Sequence, residues 1–443
     1  MNLRLLSGPV IGAGVVLLVI AWLGLSETVT VVAVLITLLY LAFFVRHLLF
    51  AISALQTVRA DLAAPVIEPP RWPTVSVLVS CRNEEAVVGR LTEALGLLDY
   101  PAGLLQVIIV DDGSTDRTGA LLDSWVATGA GLCVRRPAGS PGGKSGALNA
   151  GLQKVTGEIV VVFDADHRPY PDVLRRLVRH FADPNVAAAQ GRCVVSNGAD
   201  SPIAHLVELD YTAGYLVNEY GRQAVFGLPA YGGANCAVRT SALRKLGGWY
   251  PFTVTEDTDL TLRLLLSGYR IRYDVTALDE EEGVVTLGAY WRQRYRWSRG
   301  HQQVWRDFNR KTWASPYLSL VQKVETTMFL FAFHMPLVSA FSLVIFGLWF
   351  GGVQSPLDPL SLFVFSMMML IGPMLELATG LLLSDAPGKE ARSLMLFLPL
   401  YLVSITLGTK AWIDGICGRD YRWVKTARAA DDVPQAASRM APA

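Results

Sequence analysis

Two aspartates stand one residue apart directly after a short apolar run, and their spacing indicates a cation site. Asp164 and Asp166 follow residues 158–163, which read as a buried strand. Two carboxylates this close repel each other unless positive charge lies between them. Mg²⁺ or Mn²⁺ fits, because hard cations bind carboxylate oxygen and share their coordination with phosphates. The alternative is a solvated loop in which the aspartates only cap the next helix.

A second acidic pair, Asp111 and Asp112, opens the sequence DDGSTD and indicates contacts with a nucleotide. Gly113 allows a tight turn, and one of the residues after it can cap the following helix. Capping does not account for both leading aspartates. Their carboxylates can accept hydrogen bonds from a uracil ring N–H and from ribose hydroxyls.

Lys144 lies in the sequence GGKS, which resembles part of the phosphate-binding loop of ATPases. The full ATPase pattern requires glycine at position 138, where this chain has Ala138. Two acidic strand ends also precede the loop, which is the wrong order for an ATPase. We therefore expect Lys144 to meet the diphosphate of a bound nucleotide as a point charge.

Two further motifs lie nearer the C-terminus. Glu256 and Asp257, in TEDTD, open a predicted helix, where a carboxylate is well placed as a general base. N-capping is the alternative, although it accounts for one residue at most. In QRYRW, which begins at Gln293, Arg296 can bind phosphate and Trp297 can stack on a sugar ring. The alternative there is an amphipathic helix at the lipid headgroups.

Short apolar strands alternate with helical patterns between residues 74 and 181, which predicts a mostly parallel sheet covered on both faces. Ligands of such sheets bind beyond the carboxyl ends of the strands, and the polar segments Ser80–Glu84, DDGS and DADH follow three strands. No glycine-rich fingerprint follows the first strand, which disfavours a dinucleotide fold. The predicted strands are 74–80, 106–110 and 158–163, and the predicted helices are 84–98, 115–128, 171–181 and 260–266.

The composition indicates a soluble domain between hydrophobic flanks. The 443 residues are 52% hydrophobic and 17% charged, with mean hydropathy +0.36. The net charge of +1 suggests no nucleic-acid partner. The five cysteines show no paired spacing, so they predict neither a disulfide framework nor a zinc site.

Apolar runs predict where the chain crosses a membrane. Pro9–Leu25 and Val29–Ile52 predict an N-terminal hairpin, because a second apolar run follows the first without a convincing signal-peptidase site. The placement of Lys and Arg predicts a cytosolic central domain, although the basic tail does not follow the rule. Three more apolar runs follow, at Thr326–Phe350, Leu360–Leu383 and Leu394–Ile416.

These features divide the chain into regions. We expect a transmembrane hairpin, a linker, a cytosolic catalytic domain, interfacial helices, C-terminal transmembrane segments and a basic tail. Glu376, inside an apolar run, predicts a cavity lining or a helix contact, or pairing within the bundle. The boundaries are 1–53, 54–73, 74–300, 301–325, 326–416 and 417–443.

The motifs in this order resemble the membrane-bound family 2 glycosyltransferases. The resemblance covers Thr74 to Gln303 and includes DDGSTD, GGKSGALN, FDADH, GGANCAVR, TEDTDL and QRYRW. The last is the QxxRW pattern of processive members, which include cellulose, chitin, hyaluronan and poly-N-acetylglucosamine synthases. It implies an α/β, Rossmann-like nucleotide-sugar transferase domain of the GT-A type, inserted between transmembrane helices.

The resemblance also implies roles for individual residues. Asp257 is the general base, with Glu256 beside it, and Asp166 and Asp164 hold Mg²⁺ or Mn²⁺ on the donor. His301, after QRYRW, departs from the pattern and has no role. The donor-binding residues are Asp111, Asp112, Lys144, Asp164, Arg82 and Glu84, and the residues that close over the diphosphate and the acceptor are Gln293, Arg296 and Trp297.

The expected function is inverting, metal-dependent transfer from a UDP-sugar to a growing β-linked polymer, of the poly-N-acetylglucosamine type, that crosses the membrane. The alternative is a non-processive glycolipid synthase that adds a sugar to a membrane lipid. A transporter ATPase and a nucleotide-binding pseudo-enzyme fit the motifs less well. Expected partners are the UDP-sugar, a glycan or lipid acceptor, membrane lipid and a small accessory membrane subunit. We expect a multi-pass protein of a bacterial-type inner membrane.

Overall fold

The computed structural model describes residues 21, 23–65, 67–353, 359–384 and 394–419, with the backbone alone for 359–369 and 396. The predicted first span, Pro9–Leu25, lies almost wholly outside the described residues, and so does the basic tail beyond residue 419. The hairpin and the tail therefore stay predictions.

An eight-stranded sheet forms the centre of the region predicted to be catalytic, in the order β3-β2-β1-β4-β7-β6-β8-β5. The β1 strand pairs in parallel with both β2 and β4, so that Ser80 aligns with Val110 on one side and with Asp164 on the other. The carboxyl ends of three strands therefore meet at one edge, as predicted. The strands are β1 Val75–Cys81, β2 Leu105–Asp112, β3 Leu132–Arg136, β4 Ile159–Asp164, β5 Arg168–Pro169, β6 Val186–Val195, β7 Cys236–Arg239 and β8 Arg270–Glu281.

The second half of the sheet is mixed, which the strand pattern did not reveal. The β7 strand runs antiparallel to both β4 and β6, whereas β6 and β8 are parallel. Its register with β4 places Cys236 beside Val162. This reversal carries the GGAN segment that precedes β7 back to the edge where the acidic motifs lie.

Apolar side chains on both faces of the sheet pack under helices, as expected for a covered parallel sheet. One core holds Val77, Ile109 and Phe163, and the opposite core holds Leu78 and Trp249. The helices are α1 Leu25–Ala63, α2 Val88–Gly96, α3 Thr118–Ala127, α4 Gly143–Leu152, α5 Val173–Val178, α6 Pro202–Ala213, α7 Thr240–Lys245, α8 Glu256–Leu265, α9 Leu287–Ala314, α10 Leu320–Phe331, α11 Met335–Phe350, α12 Pro359–Leu383 and α13 Leu394–Ile416.

Among the described residues, two helical stretches are long and apolar enough to cross a membrane, Leu25–Ala63 and Leu320–Phe350. Only 28% and 11% of their most apolar windows are buried, which is unlike the core helix of a soluble domain. They support membrane association. The multi-pass arrangement predicted from sequence is not supported by this criterion.

Two predicted boundaries are displaced. Helix α1 continues to Ala63, so the first half of the predicted linker 54–73 is helical. Helix α9 is continuous over Leu287–Ala314, so the predicted boundary at residue 300 falls inside a helix. The QRYRW motif and the start of the interfacial region therefore belong to one rigid element.

A buried ion-pair cluster joins α1 to the catalytic region. The Arg46 guanidinium binds both carboxylate oxygens of Glu325 on α10, at 2.9 and 2.8 Å. Arg222 donates to the same carboxylate at 3.2 Å. Burying a charge is unfavourable unless it is paired. These ion pairs therefore fix the position of the apolar helix α1 on the domain.

Candidate active site

A cavity of about 670 Å³ opens at the carboxyl ends of β1, β2 and β4 and continues between helices α6, α12 and α13. Its wall includes nearly all of the predicted site residues. Those that line it are Arg82, Glu84, Asp112, Lys144, Asp164, Asp166, Glu256, Asp257, Gln293, Arg296 and Trp297.

Lys144 connects three of the motifs rather than standing free in the cavity. Its Nζ lies 2.6 Å from Asp164 Oδ1 and 3.5 Å from a carboxylate oxygen of Glu256. It also donates to the backbone carbonyl of Gly233 at 3.1 Å. The lysine therefore holds the DAD, TED and GGAN segments together, a contact set that the sequence did not predict.

The donor set at the end of β4 fits a hard divalent cation. Asp164 and Asp166 both line the cavity, and the Asp164 side chain keeps 35% of its exposure. Carboxylate oxygens open to a cavity suit Mg²⁺ or Mn²⁺, which keep positions for phosphate and water. The residues present are thus compatible with the predicted metal.

His167 lies in an adjacent cluster with Cys193 and Glu281, whose ligand atoms lie within 4.8 Å of one another. Both ring nitrogens of His167 are engaged, because Nδ1 bonds to Asp279 and Nε2 lies 2.9 Å from Glu281. The two carboxylates raise the pKa of His167 well above its usual value despite burial. We interpret this cluster as a buried ion-pair network that fixes the loop after Asp166.

The DDGSTD aspartates point in different directions. Asp112 lines the cavity and pairs with Arg136 at 2.5 Å. Asp111 accepts a hydrogen bond from the Ser114 backbone N–H at 3.0 Å and pairs with Arg135. Asp111 is not among the residues that line the cavity. The structure thus places Asp112 at the cavity wall, and Asp111 stabilises the turn that presents it; donor contact by either residue stays a prediction.

The segment after β1 is closed against the DDGSTD turn. Asn83 has a positive φ of 55°, and its side chain accepts from the Thr115 backbone N–H at 2.8 Å. The Glu84 backbone N–H donates to the Thr118 hydroxyl at 2.7 Å. These bonds hold Arg82 and Glu84 at the cavity wall.

Asp257 lies in the first turn of α8, where the backbone N–H groups face its carboxylate. Its Oδ1 accepts from the Thr258 N–H at 2.6 Å. The GGAN loop packs against it so closely that a Cβ on Gly233, which has φ +81°, would lie 3.1 Å from Asp257 Oδ2. Burial raises the pKa of Asp257 above its usual value.

His301, which had no role in the sequence, bridges two motifs. Its Nδ1 lies 2.9 Å from the Trp297 carbonyl, and its Nε2 lies 3.1 Å from the Thr258 hydroxyl. The ring stacks on Phe333, with centroids 3.7 Å apart. Burial lowers the pKa of His301 to about 4, so the ring is neutral near pH 7. It links QRYRW on α9 to Asp257 on α8.

Gln190 is a second residue that sequence reasoning missed. It is buried at the cavity wall, accepts from the Gly232 N–H at 2.6 Å and donates to the carbonyls of Ala234 and Asn235. It therefore shapes the GGAN loop from β6. No local pattern marks it, because its partners lie more than 40 residues away.

Residues 159–376 match the protein-family model described as glycosyl transferase family group 2. A β-monoglucosyldiacylglycerol synthase of Synechocystis sp. is 37% identical over 309 residues, which cover 67% of this chain and 64% of that protein. Over the matched residues the chain is thus similar to glycosyltransferases of family 2, the class that its motifs predicted.

The other comparisons agree on family and fold. A probable glycosyltransferase of Bacillus subtilis, YdaM, is 34% identical over 53% of this chain and 58% of its own length. The chain spans less than two thirds of either curated relative. The fold resembles a mannosyltransferase of Pyrobaculum calidifontis solved with GDP-Man and Mn²⁺, with TM-score 0.50, 21% identity, and coverage of 88% of this chain and 100% of that one. The fold is therefore of the GT-A-like α/β type.

Proposed function

We propose that this chain transfers one sugar from a nucleoside-diphosphate sugar to the hydroxyl group of a neutral membrane lipid, with inversion at the anomeric carbon. This is the glycolipid alternative of the sequence analysis, and it replaces polymer synthesis as the first choice. The observation that supports it is the cavity, whose wall between α6, α12 and α13 includes leucines among polar and aromatic side chains.

A channel for a polar glycan needs polar or aromatic walls along its length, since sugar hydroxyls must be hydrogen-bonded away from water. Polar and aromatic side chains do line the wall between α6, α12 and α13, among them Tyr211, Glu376 and Tyr401. Leu206 and Leu209 on α6, Leu377 on α12 and Leu400 on α13 add apolar surface to it, and this surface suits acyl chains. Curated relatives named as β-monoglucosyldiacylglycerol synthases support the same choice.

In the proposed reaction, Asp257 takes the proton of the acceptor hydroxyl. The hydroxyl oxygen forms a bond to the anomeric carbon while the bond from that carbon to the donor phosphate oxygen breaks. The nucleoside diphosphate leaves with the electron pair. The raised pKa of Asp257 suits it to hold the proton.

The leaving diphosphate gains negative charge, which Arg296 at the cavity wall can stabilise. Asp164 and Asp166 would hold Mg²⁺ or Mn²⁺, which when bound would neutralise the diphosphate. Asp112, Arg82 and Glu84 are proposed to hold the nucleoside. Trp297 and Gln293 would close over the sugar.

The test is to incubate the full chain in phospholipid nanodiscs with diacylglycerol and labelled UDP-sugars, starting with UDP-glucose because the named relatives make a glucolipid. We expect label in the organic phase as a lipid with one sugar, identified by mass spectrometry, and a β-linkage by NMR. A water-soluble product of many sugars would instead establish the polymer alternative. GDP-Man serves as a second donor, so that the nucleotide is tested with the sugar.

A further inference from the structure

Arg294 lies in the cavity wall where α9 meets α6, and it is not one of the QRYRW residues assigned a role. Its Cζ lies 5.2 Å from the ring centre of Tyr290 and 4.4 Å from that of Trp297. Two aromatic faces therefore hold the guanidinium in place. The side chain keeps 18% of its exposure.

The hydrogen-bonding capacity of this guanidinium is only partly used. Its Nη2 lies 2.6 Å from Asp210 Oδ2 on α6. Its Nε is buried and has no hydrogen-bond acceptor among the described residues. The buried Nε is closed to the cavity, so a ligand would meet only the part of the guanidinium that stays exposed at the wall. Oxygen acceptors of a ligand can take hydrogen bonds there.

The charges at this end of the cavity disfavour an anionic ligand. Three carboxylates line it, those of Asp210, Glu219 and Glu376. One cation, Arg294, is found among the described lining residues of α6, 214–219, α12, α13 and the first two turns of α9. The guanidinium is already neutralised by Asp210. Glu219 pairs with Arg222, and Glu376 lies 2.6 Å from His47 Nδ1, so these carboxylates have partners too. A lipid phosphate would therefore meet paired charges and no uncompensated cation among these lining residues.

We propose that Arg294 and Asp210 form a headgroup subsite that selects a neutral glyceride acceptor. Arg294 donates hydrogen bonds to the ester carbonyl oxygens of the lipid, and Asp210 cancels its charge so that lipid phosphates are rejected. The subsite rests on the proposed function, because it places the glyceride hydroxyl on the Asp257 side and the acyl chains among the leucines.

Arg294→Gln tests the first half of this proposal. We expect the KM for diacylglycerol to rise about tenfold, the effect of losing one or two hydrogen bonds, while the KM for the UDP-sugar stays unchanged. Arg294→Lys should also be impaired, because an ammonium lacks the planar fork. Arg292→Gln is the matched control, since Arg292 is exposed on the same helix and does not line the cavity.

Asp210→Asn tests the second half. This change leaves Arg294 with an unpaired charge, so phosphatidic acid should compete with diacylglycerol at a concentration about tenfold lower than in the wild type. If Arg294→Gln fails to fold, as judged by thermal unfolding and nucleotide binding, the Asp210→Asn competition still decides the proposal.

The outcomes separate the subsite from the proposed function. An unchanged diacylglycerol KM in Arg294→Gln, or an unchanged phosphatidic acid effect in Asp210→Asn, overturns the subsite alone. Transfer by the wild type to polyprenyl phosphate in preference to diacylglycerol overturns both the subsite and the neutral acceptor of the proposed function. No transfer to any lipid overturns both proposals.

Discussion

The two ends of the cavity differ in chemistry and in how they are built. At the sheet edge, carboxylates and cations from the ends of β1, β2 and β4 and from α4, α8 and α9 line the wall. At the other end, which we call the leucine end, leucines from α6, α12 and α13 come together from distant parts of the chain. We propose that the first end binds the charged donor and the second the apolar acceptor.

This difference teaches that donor and acceptor recognition can be altered separately. Lys144 joins the polar motifs to one another, and none of its described contacts reaches α6, α12 or α13. Two residues of α9 connect it to the elements on either side. Arg294 pairs with Asp210 on α6, and His301 bonds to Thr258 on α8. Variants can therefore be chosen to affect one end and leave the other intact.

The largest effect is expected from Asp257→Asn at the polar end. Loss of the general base should lower kcat on the order of 10³-fold, with nucleotide binding unchanged by calorimetry. Asp307→Asn is the control, since Asp307 is an exposed aspartate that does not line the cavity. Turnover by Asp257→Asn at the wild-type rate would show that another group takes the proton.

Asp166→Ala should lower activity about 10²-fold, because the proposed metal site loses one of its two carboxylates. The remaining activity should no longer depend on added Mn²⁺. EDTA should inactivate the wild type and have little further effect on this variant. Asp200→Ala, at an exposed aspartate outside the cavity, should behave as the wild type. Full wild-type activity in EDTA would contradict the metal assignment.

Leu377→Trp tests the leucine end alone. The larger side chain should narrow the apolar part of the cavity and raise the acceptor KM about tenfold. Slow hydrolysis of the donor by water should not change, since the polar end is intact. Leu382→Trp on the same helix is the control, because Leu382 is 54% exposed. Equal effects on transfer and hydrolysis would mean that the two ends are not separable.

The smallest effect is a shift in pH dependence. Asp257 must be ionised to accept a proton, and burial raises its pKa above the usual 3.8. Activity should therefore fall as the pH drops through this raised pKa, at higher pH than for an exposed aspartate. Glu256→Gln removes a neighbouring negative charge and should move this limb of the kcat profile to lower pH. A profile identical to that of the wild type would argue against the coupling of these two carboxylates.

Much of the polar end could be predicted from sequence. The apolar runs at 74–80, 106–110 and 158–163 became β1, β2 and β4, and their parallel pairing brought the polar segments after them to one edge. The prediction succeeded because a strand, its end and the motif after it are contiguous in the chain. The helices at 360–383 and 394–416 were predicted because each is one continuous apolar run of the chain.

Tertiary structure alone decided the rest. The reversal of β7, the turning of Asp111 towards Arg135 and the contacts of Gln190 and His301 depend on residues that are far apart in sequence. The periodicity of apolar residues shows which face of a helix or strand is buried. Which residues that face contacts is decided by the packing of the whole chain. The sequence thus determined where the charged groups of the donor end stand, and only the fold decided that an apolar cavity continues from them.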